Sequence, residues 1–125
     1  MKIHESAENY IETIYMLGRR QSGVRSIDIA TELEFSKPSV SIAMKNLREN
    51  GYIEVDSAGY ISLTDTGLEI AERMYARHTL LTRFLTGIGV SPEVAEEDAC
   101  RIEHIISAES IEAIKKYLDE KGGLS

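Results

Sequence analysis

Apolar residues at Tyr10, Ile14 and Leu17 keep helical spacing, with Ile11 and Tyr15 beside them, while Glu5, Asn9 and Glu12 line another face. The pattern predicts an amphipathic helix from Ser6 to Arg20. Gly23 interrupts it, and Ser26 is placed to cap a short second helix carrying Ile27, Ile29, Ala30 and Leu33. A tight turn at Glu34-Phe35-Ser36 follows. Ser36 is the expected N-cap of a third helix, with Pro38 in the first turn, where its missing N–H costs little. That helix runs to about Asn50, buries Val40, Ala43, Met44 and Leu47, and ends at Gly51. The period then changes from helical to alternating. Ile53 and Val55 alternate with Glu54 and Asp56, a turn falls at Ser57-Ala58-Gly59, and Ile61 and Leu63 alternate again, which predicts a short hairpin.

Helix, short helix, turn, helix and hairpin in this order spell a winged helix-turn-helix. Beyond it the periodicity is helical throughout. A long helix starts at Thr64 or Thr66, with Thr66-x-x-Glu69 as a candidate capping box, and runs to about Gly87. Leu68, Ala71 and Tyr75 form one stripe on it, and Ile70, Met74, Leu81, Phe84, Leu85 and Ile88 lie around that stripe, so it offers more than one face for packing. Ser91-Pro92 opens a fifth helix to about Ile106, and Ser107 caps a sixth with Ile111, Ile114 and Leu118. The expected fold class is mainly α: a winged helix-turn-helix over residues 1–64 and an all-helical domain over 65–125. The second domain is small enough to be marginal alone, which argues for burial against a second copy of the chain.

At 125 residues with 28% charged and 42% hydrophobic content, the chain has no apolar run near the ~20 residues a membrane span needs, and no basic-then-apolar leader pattern. A cytoplasmic protein is expected. The single cysteine cannot form an internal disulfide, which agrees with a reducing compartment. The net charge of -7 argues against a nucleic-acid partner, but from Ser36 to Ile53 Lys37, Lys45 and Arg48 stand against Glu49 alone. The predicted recognition helix is therefore locally basic. Ser36, Lys37, Ser39, Ser41 and Lys45 suit phosphate oxygens, and Pro38 and Ile42 suit thymine methyls. No Arg, Asn or Gln stands in its first turns to read a purine bidentately, so sequence reading should lean on methyl contacts, DNA shape and half-site spacing.

Cys100-x-x-Glu103-His104 places a thiol, a carboxylate and an imidazole at i, i+3 and i+4, on one face if the segment is helical. Such a face is half of a transition-metal site. Glu96 and Glu97 lie one turn earlier, and His78 occurs on the long helix. Imidazole and thiolate suit Fe(II), Co(II), Ni(II) or Zn(II), and the carboxylates add tolerance for Mn(II).

These segments resemble the DtxR/MntR family of metal-dependent transcriptional repressors over essentially the whole chain. The resemblance is carried by Glu8-Asn9-Tyr10-Ile11-Glu12-Thr13-Ile14-Tyr15, the helix-turn-helix from Ile27 to Asn50, Leu63-Thr64-Asp65-Thr66-Gly67, Arg77-His78-Thr79-Leu80-Leu81 and Ala99-Cys100-Arg101-Ile102-Glu103-His104. It implies a homodimer of winged helices joined by a helical dimerisation domain, with a divalent metal as corepressor for binding a double-stranded DNA operator. Carried over by position, the ligands are Asn9, Glu12, His78, Cys100, Glu103 and His104, with Glu8 and Glu96 as secondary candidates. The manganese branch usually has Asp and Glu where Asn9 and Cys100 stand, and the iron branch shares the Cys but lacks an acid where Glu12 stands. Thr82 and Glu96 replace the Glu and His that complete the iron branch's second site. The two-domain form, without an SH3-like third domain, is the one expected. Cys100 points to iron, and Glu12 and the length point to manganese, so Fe(II) is the first expectation and Mn(II) the second; Zn(II), Co(II) or Ni(II) would serve in vitro.

Two other classes compete with this reading. An oxidant-sensing regulator acting through Cys100 would leave the Glu and His neighbours idle. A small zinc enzyme would need an open coordination position and a substrate cleft, and the sequence offers no nucleophile or oxyanion motif.

Overall fold

The chain turns back after Arg20 because the apolar stripe of the first helix needs a partner, and the next two helices supply it. The computed structural model describes residues 5–121, and within them the order is α1 (Glu5–Arg20), α2 (Ser26–Leu33), α3 (Lys37–Glu49), β1 (Ile53–Val55), β2 (Ile61–Leu63), α4 (Asp65–Gly87), α5 (Pro92–Ile102) and α6 (Ala108–Glu120). The outer ends of both expected domain spans lie outside the described residues. The mainly α architecture with one small hairpin is as expected. The chain divides into two units at Glu72 and Arg73, inside α4.

In the first unit Ile11, Ile14 and Leu17 of α1, Ile29 and Ala30 of α2, and Val40, Met44 and Leu47 of α3 are buried, closed by Ile53 and Ile61 of the hairpin. Each of these side chains larger than alanine contributes about 1.5–3 kcal/mol on burial. Acids Glu5 and Glu8 in the first turn of α1 and Arg19 and Arg20 in the last complement the helix dipole. The strands are antiparallel with Ile53 opposite Leu63 and Val55 opposite Ile61, and Ile61 N–H also donates to Val24 O at 2.8 Å. The wing is thus held on both edges of β2.

Several local expectations shift. Ser26 is the first residue of α2 rather than its cap: Arg25 is the N-cap, and its N–H donates to Asp28 Oδ2 at 2.8 Å. Thr64, not Thr66, begins α4; its Oγ1 accepts from Gly67 N–H at 3.2 Å and donates to Gly51 O at 2.6 Å, so the predicted Thr66-to-Glu69 box does not form the start. Gly67 is required there, since a Cβ would collide with the Tyr52 carbonyl oxygen. Ile27, Leu68 and Ile88, expected among apolar stripes, are exposed, and Ala43 is only half-buried.

The second unit comprises α4 from Arg73 onward, α5 and α6. Met74, Leu81, Ala95, Ala99 and Leu118 form its buried set, and Phe84 meets Tyr117 edge to face with ring centroids 6.3 Å apart. Ser107 caps α6 as expected, accepting from Ser110 N–H at 3.1 Å. α5 stops at Ile102, four residues before the predicted end.

Candidate DNA-facing helix and candidate metal centre

α3 begins where Ser36 Oγ accepts from Ser39 N–H at 3.3 Å, with Pro38 in the first turn. Glu34 adopts a left-handed conformation with φ of 57°, which makes the bend between α2 and α3. Val40, Met44 and Leu47 fix the inner face, so the opposite face is set by period alone. Ser36, Lys37, Pro38, Ser39, Ser41, Ile42 and Lys45 are all exposed, as a DNA-reading face requires. Ile42 is 63% exposed, an apolar side chain in a polar stripe. The wing tip is ordered by Asp56, whose Oδ1 accepts from Ala58 and Tyr60 N–H at 2.9 Å each, and by Arg25, whose Nη2 donates to Ala58 O at 2.7 Å while the guanidinium lies over the Tyr60 ring.

In the second unit three of the expected ligands converge. The Glu103 side chain is fully buried. His78 Nδ1 lies 3.2 Å from Glu103 Oε2, and His104 Nε2 lies 3.4 Å from Glu103 Oε1, with the His104 side chain 3% exposed. These approaches are ion-pair distances, but neither carboxylate oxygen receives an aligned hydrogen bond. A buried carboxylate in that state is costly unless a cation satisfies it. Glu103 beside His78 raises the imidazole pKa above its ordinary 6.5, burial opposes the rise, and Glu96, 3.6 Å from Nε2, adds to it. Two imidazole nitrogens aimed at one carboxylate are the donor set of a divalent transition metal, so these residues fit such an ion.

The other expected ligands are placed differently. Cys100 is exposed on α5, while Glu103 is the C-cap of that helix, its N–H still donating to Ala99 O at 2.9 Å, and His104 lies in the turn just beyond. Glu96 is largely exposed. On α1 of the first unit, Glu8 and Glu12 are buried at 8% and 7% exposure and Asn9 is half-buried. One contributor escaped the sequence reading: Arg77 Nη1 donates to Glu103 O and Ile106 O, both at 3.1 Å. Its position next to His78 was visible; its reach to a turn 26 residues away was not.

Residues 2–60 match the family model described as iron dependent repressor, N-terminal DNA binding domain, and residues 64–121 match iron dependent repressor, metal binding and dimerisation domain. The chain belongs to the iron-dependent repressor family. The transcriptional regulator MntR of Escherichia coli O6:H1 is 34% identical over 118 residues, covering 94% of this chain and 76% of the relative. The HTH-type transcriptional regulator MntR of Bacillus pumilus is 38% identical over 109 residues, covering 87% and 76%. Among solved structures, the manganese regulator SloR matches with a TM-score of 0.80 at 28% identity, covering 95% of this chain and 55% of that one. A manganese-dependent transcriptional repressor in complex with manganese matches at 0.84 and 27%, covering 90% and 52%. The chain spans about half the length of these solved structures. The iron-dependent repressor family consists of metal-dependent transcriptional regulators with DNA-binding and dimerisation domains, not enzymes, so the zinc-enzyme alternative is set aside and the expected class of function is borne out. No helix among the described residues is long and apolar enough to cross a membrane.

Proposed function

We propose that this member of the family is a cytoplasmic repressor of metal-ion homeostasis genes, binding duplex operator DNA as a homodimer with Mn(II) or Fe(II) as corepressor. The observation that carries the reading is the buried Glu103 carboxylate between the His78 and His104 imidazoles. A divalent cation bound there supplies positive charge to the buried carboxylate when the His78 ring is neutral. His78, Glu103 and His104 hold it from the dimerisation domain, and Asn9 and Glu12, with Glu8 as an alternate, join from the DNA-binding domain as the resemblance implies. Cys100 and Glu96, both largely exposed, rank behind these as secondary candidates. Nitrogen and carboxylate donors with an exposed thiol weigh the choice toward Mn(II), with Fe(II) its competitor, which reverses the order read from the sequence.

Ligands drawn from both domains restrict how α3 is presented, and in a symmetric pair this sets the two recognition helices one DNA turn apart, ~34 Å or a multiple. Lys37 and Lys45 then pair with phosphates, Ser36, Ser39 and Ser41 hydrogen-bond them, and Pro38 and Ile42 pack on thymine methyls. The test is a DNA-binding titration at fixed salt, on a duplex selected from random sequence, with Mn(II), Fe(II), Zn(II) and chelator. Binding that requires Mn(II) or Fe(II) supports the reading; binding indifferent to the chelator overturns it.

A further inference from the structure

Because α5 stops at Ile102, Glu103 and His104 lie in a turn, whose carbonyls no continuing helix satisfies. Two of those carbonyls, of Glu103 and Ile106, accept hydrogen bonds at 3.1 Å from one nitrogen, Arg77 Nη1. Arg77 is half-buried and directly precedes His78 in α4. A single helical turn of α4 therefore provides one metal donor through His78 and fastens the backbone that carries the other two.

We infer that Arg77 is a positioning residue of the metal centre, holding the Glu103–His104 turn in the geometry that faces His78 before any cation arrives. The inference rests on the metal-site reading above. Its direction separates it from simple electrostatics. A guanidinium acting only as a nearby positive charge would repel a dication, so its removal would tighten metal binding. As an anchor it spares the cost of ordering the turn on binding, so its removal weakens metal binding.

The experiment uses the whole chain and Mn(II) alone, with free aqua-Mn(II) read by electron paramagnetic resonance, and the visible spectrum of added Co(II) as a report on coordination geometry. Arg77→Gln is neutral and too short to span both carbonyls, and is expected to weaken Mn(II) binding about 10–100-fold, in the range seen when outer partners of metal ligands are removed, and to shift the Co(II) bands. Arg77→Lys keeps the charge and donors on a shorter stem and should fall between Arg77→Gln and the parent protein. Arg83→Gln removes the same charge from an exposed position on α4 and should bind Mn(II) like the parent. Unchanged or tighter Mn(II) binding in Arg77→Gln overturns the inference. If circular dichroism shows Arg77→Gln unfolded, Arg77→Lys decides, and parental affinity in that variant overturns it. Failure of the underlying reading looks different: the parent protein takes up neither Mn(II) nor Co(II), or Glu103→Gln binds them as well as the parent, and either result overturns both.

Discussion

Glu103→Gln keeps the shape of the side chain and removes its charge, which makes it the cleanest probe of the proposed switch. Two unit charges about 4 Å apart in an environment of effective dielectric ~20 attract by about 4 kcal/mol, and a dication would gain more from the carboxylate than a single charge does. A loss of about 4 kcal/mol is roughly 10³-fold in metal affinity. Moving a dimer from about 1% to about 99% competent takes about 10⁴-fold preference, ~5.5 kcal/mol, so the variant would retain only roughly tenfold coupling and reach about 10% competence at saturating Mn(II). The metal-free protein should behave in the opposite way. Burying a carboxylate that no donor aligns with costs stability, so above the raised His78 pKa, where the ring is neutral, Glu103→Gln should melt at the same or a higher temperature than the parent when both are metal-free. Fluorescence anisotropy with the selected duplex at fixed salt, alongside a thermal melt with chelator present, reads both effects. Full Mn(II) response in the variant, or a metal-free protein that no longer folds, would refute the reasoning.

The His78 shift gives a pH signature with two opposed slopes. Its raised folded pKa means the imidazolium stabilises the metal-free fold below about 6.5 and that this contribution is lost as pH rises through the raised value, whereas metal needs the neutral ring; metal-free stability should fall and Mn(II) affinity rise over the same interval, and parallel slopes in melts and titrations would contradict this. Lys37→Gln should weaken DNA binding about equally on all sequences and flatten the log-affinity against log-salt slope by about 1, while a sequence-selective loss with unchanged salt slope would place Lys37 elsewhere. Gly67→Ala should destabilise the fold by about 1–3 kcal/mol in urea melts, because its Cβ meets the Tyr52 carbonyl; parental stability would show that the junction yields freely.

What was legible in the sequence is what short-range chemistry decides. Ser36 and Ser107 cap their helices through hydroxyls three residues from the amide they serve, and the hairpin follows from alternation around Gly59, whose φ of 89° suits no other residue as well. The exposed Ile42 was legible too, since its place on α3 is fixed once Val40, Met44 and Leu47 face inward. Long-range bonds decided the rest. Thr64 outcompetes Thr66 because it can also donate to Gly51, and the chain leaves the helix at Ile102 where Arg77 takes the carbonyls of Glu103 and Ile106. The i, i+3, i+4 spacing of Cys100, Glu103 and His104 suggested one helical face; the helix ends at Ile102 with Glu103 as its cap, and Cys100 is exposed where Glu103 is buried. Glu103 and His104 of that spacing do come together with His78, since both rings lie beside the Glu103 carboxylate.

The claim on which the account rests is that one cation sits among these three side chains. An anomalous difference map collected across the manganese absorption edge, from crystals grown with Mn(II), tests it most directly. The account predicts a peak within bonding distance of a ring nitrogen of His78, a Glu103 oxygen and a ring nitrogen of His104. A Mn(II)-loaded crystal with no peak at that position, or with its ordered metal held by other residues, would contradict it.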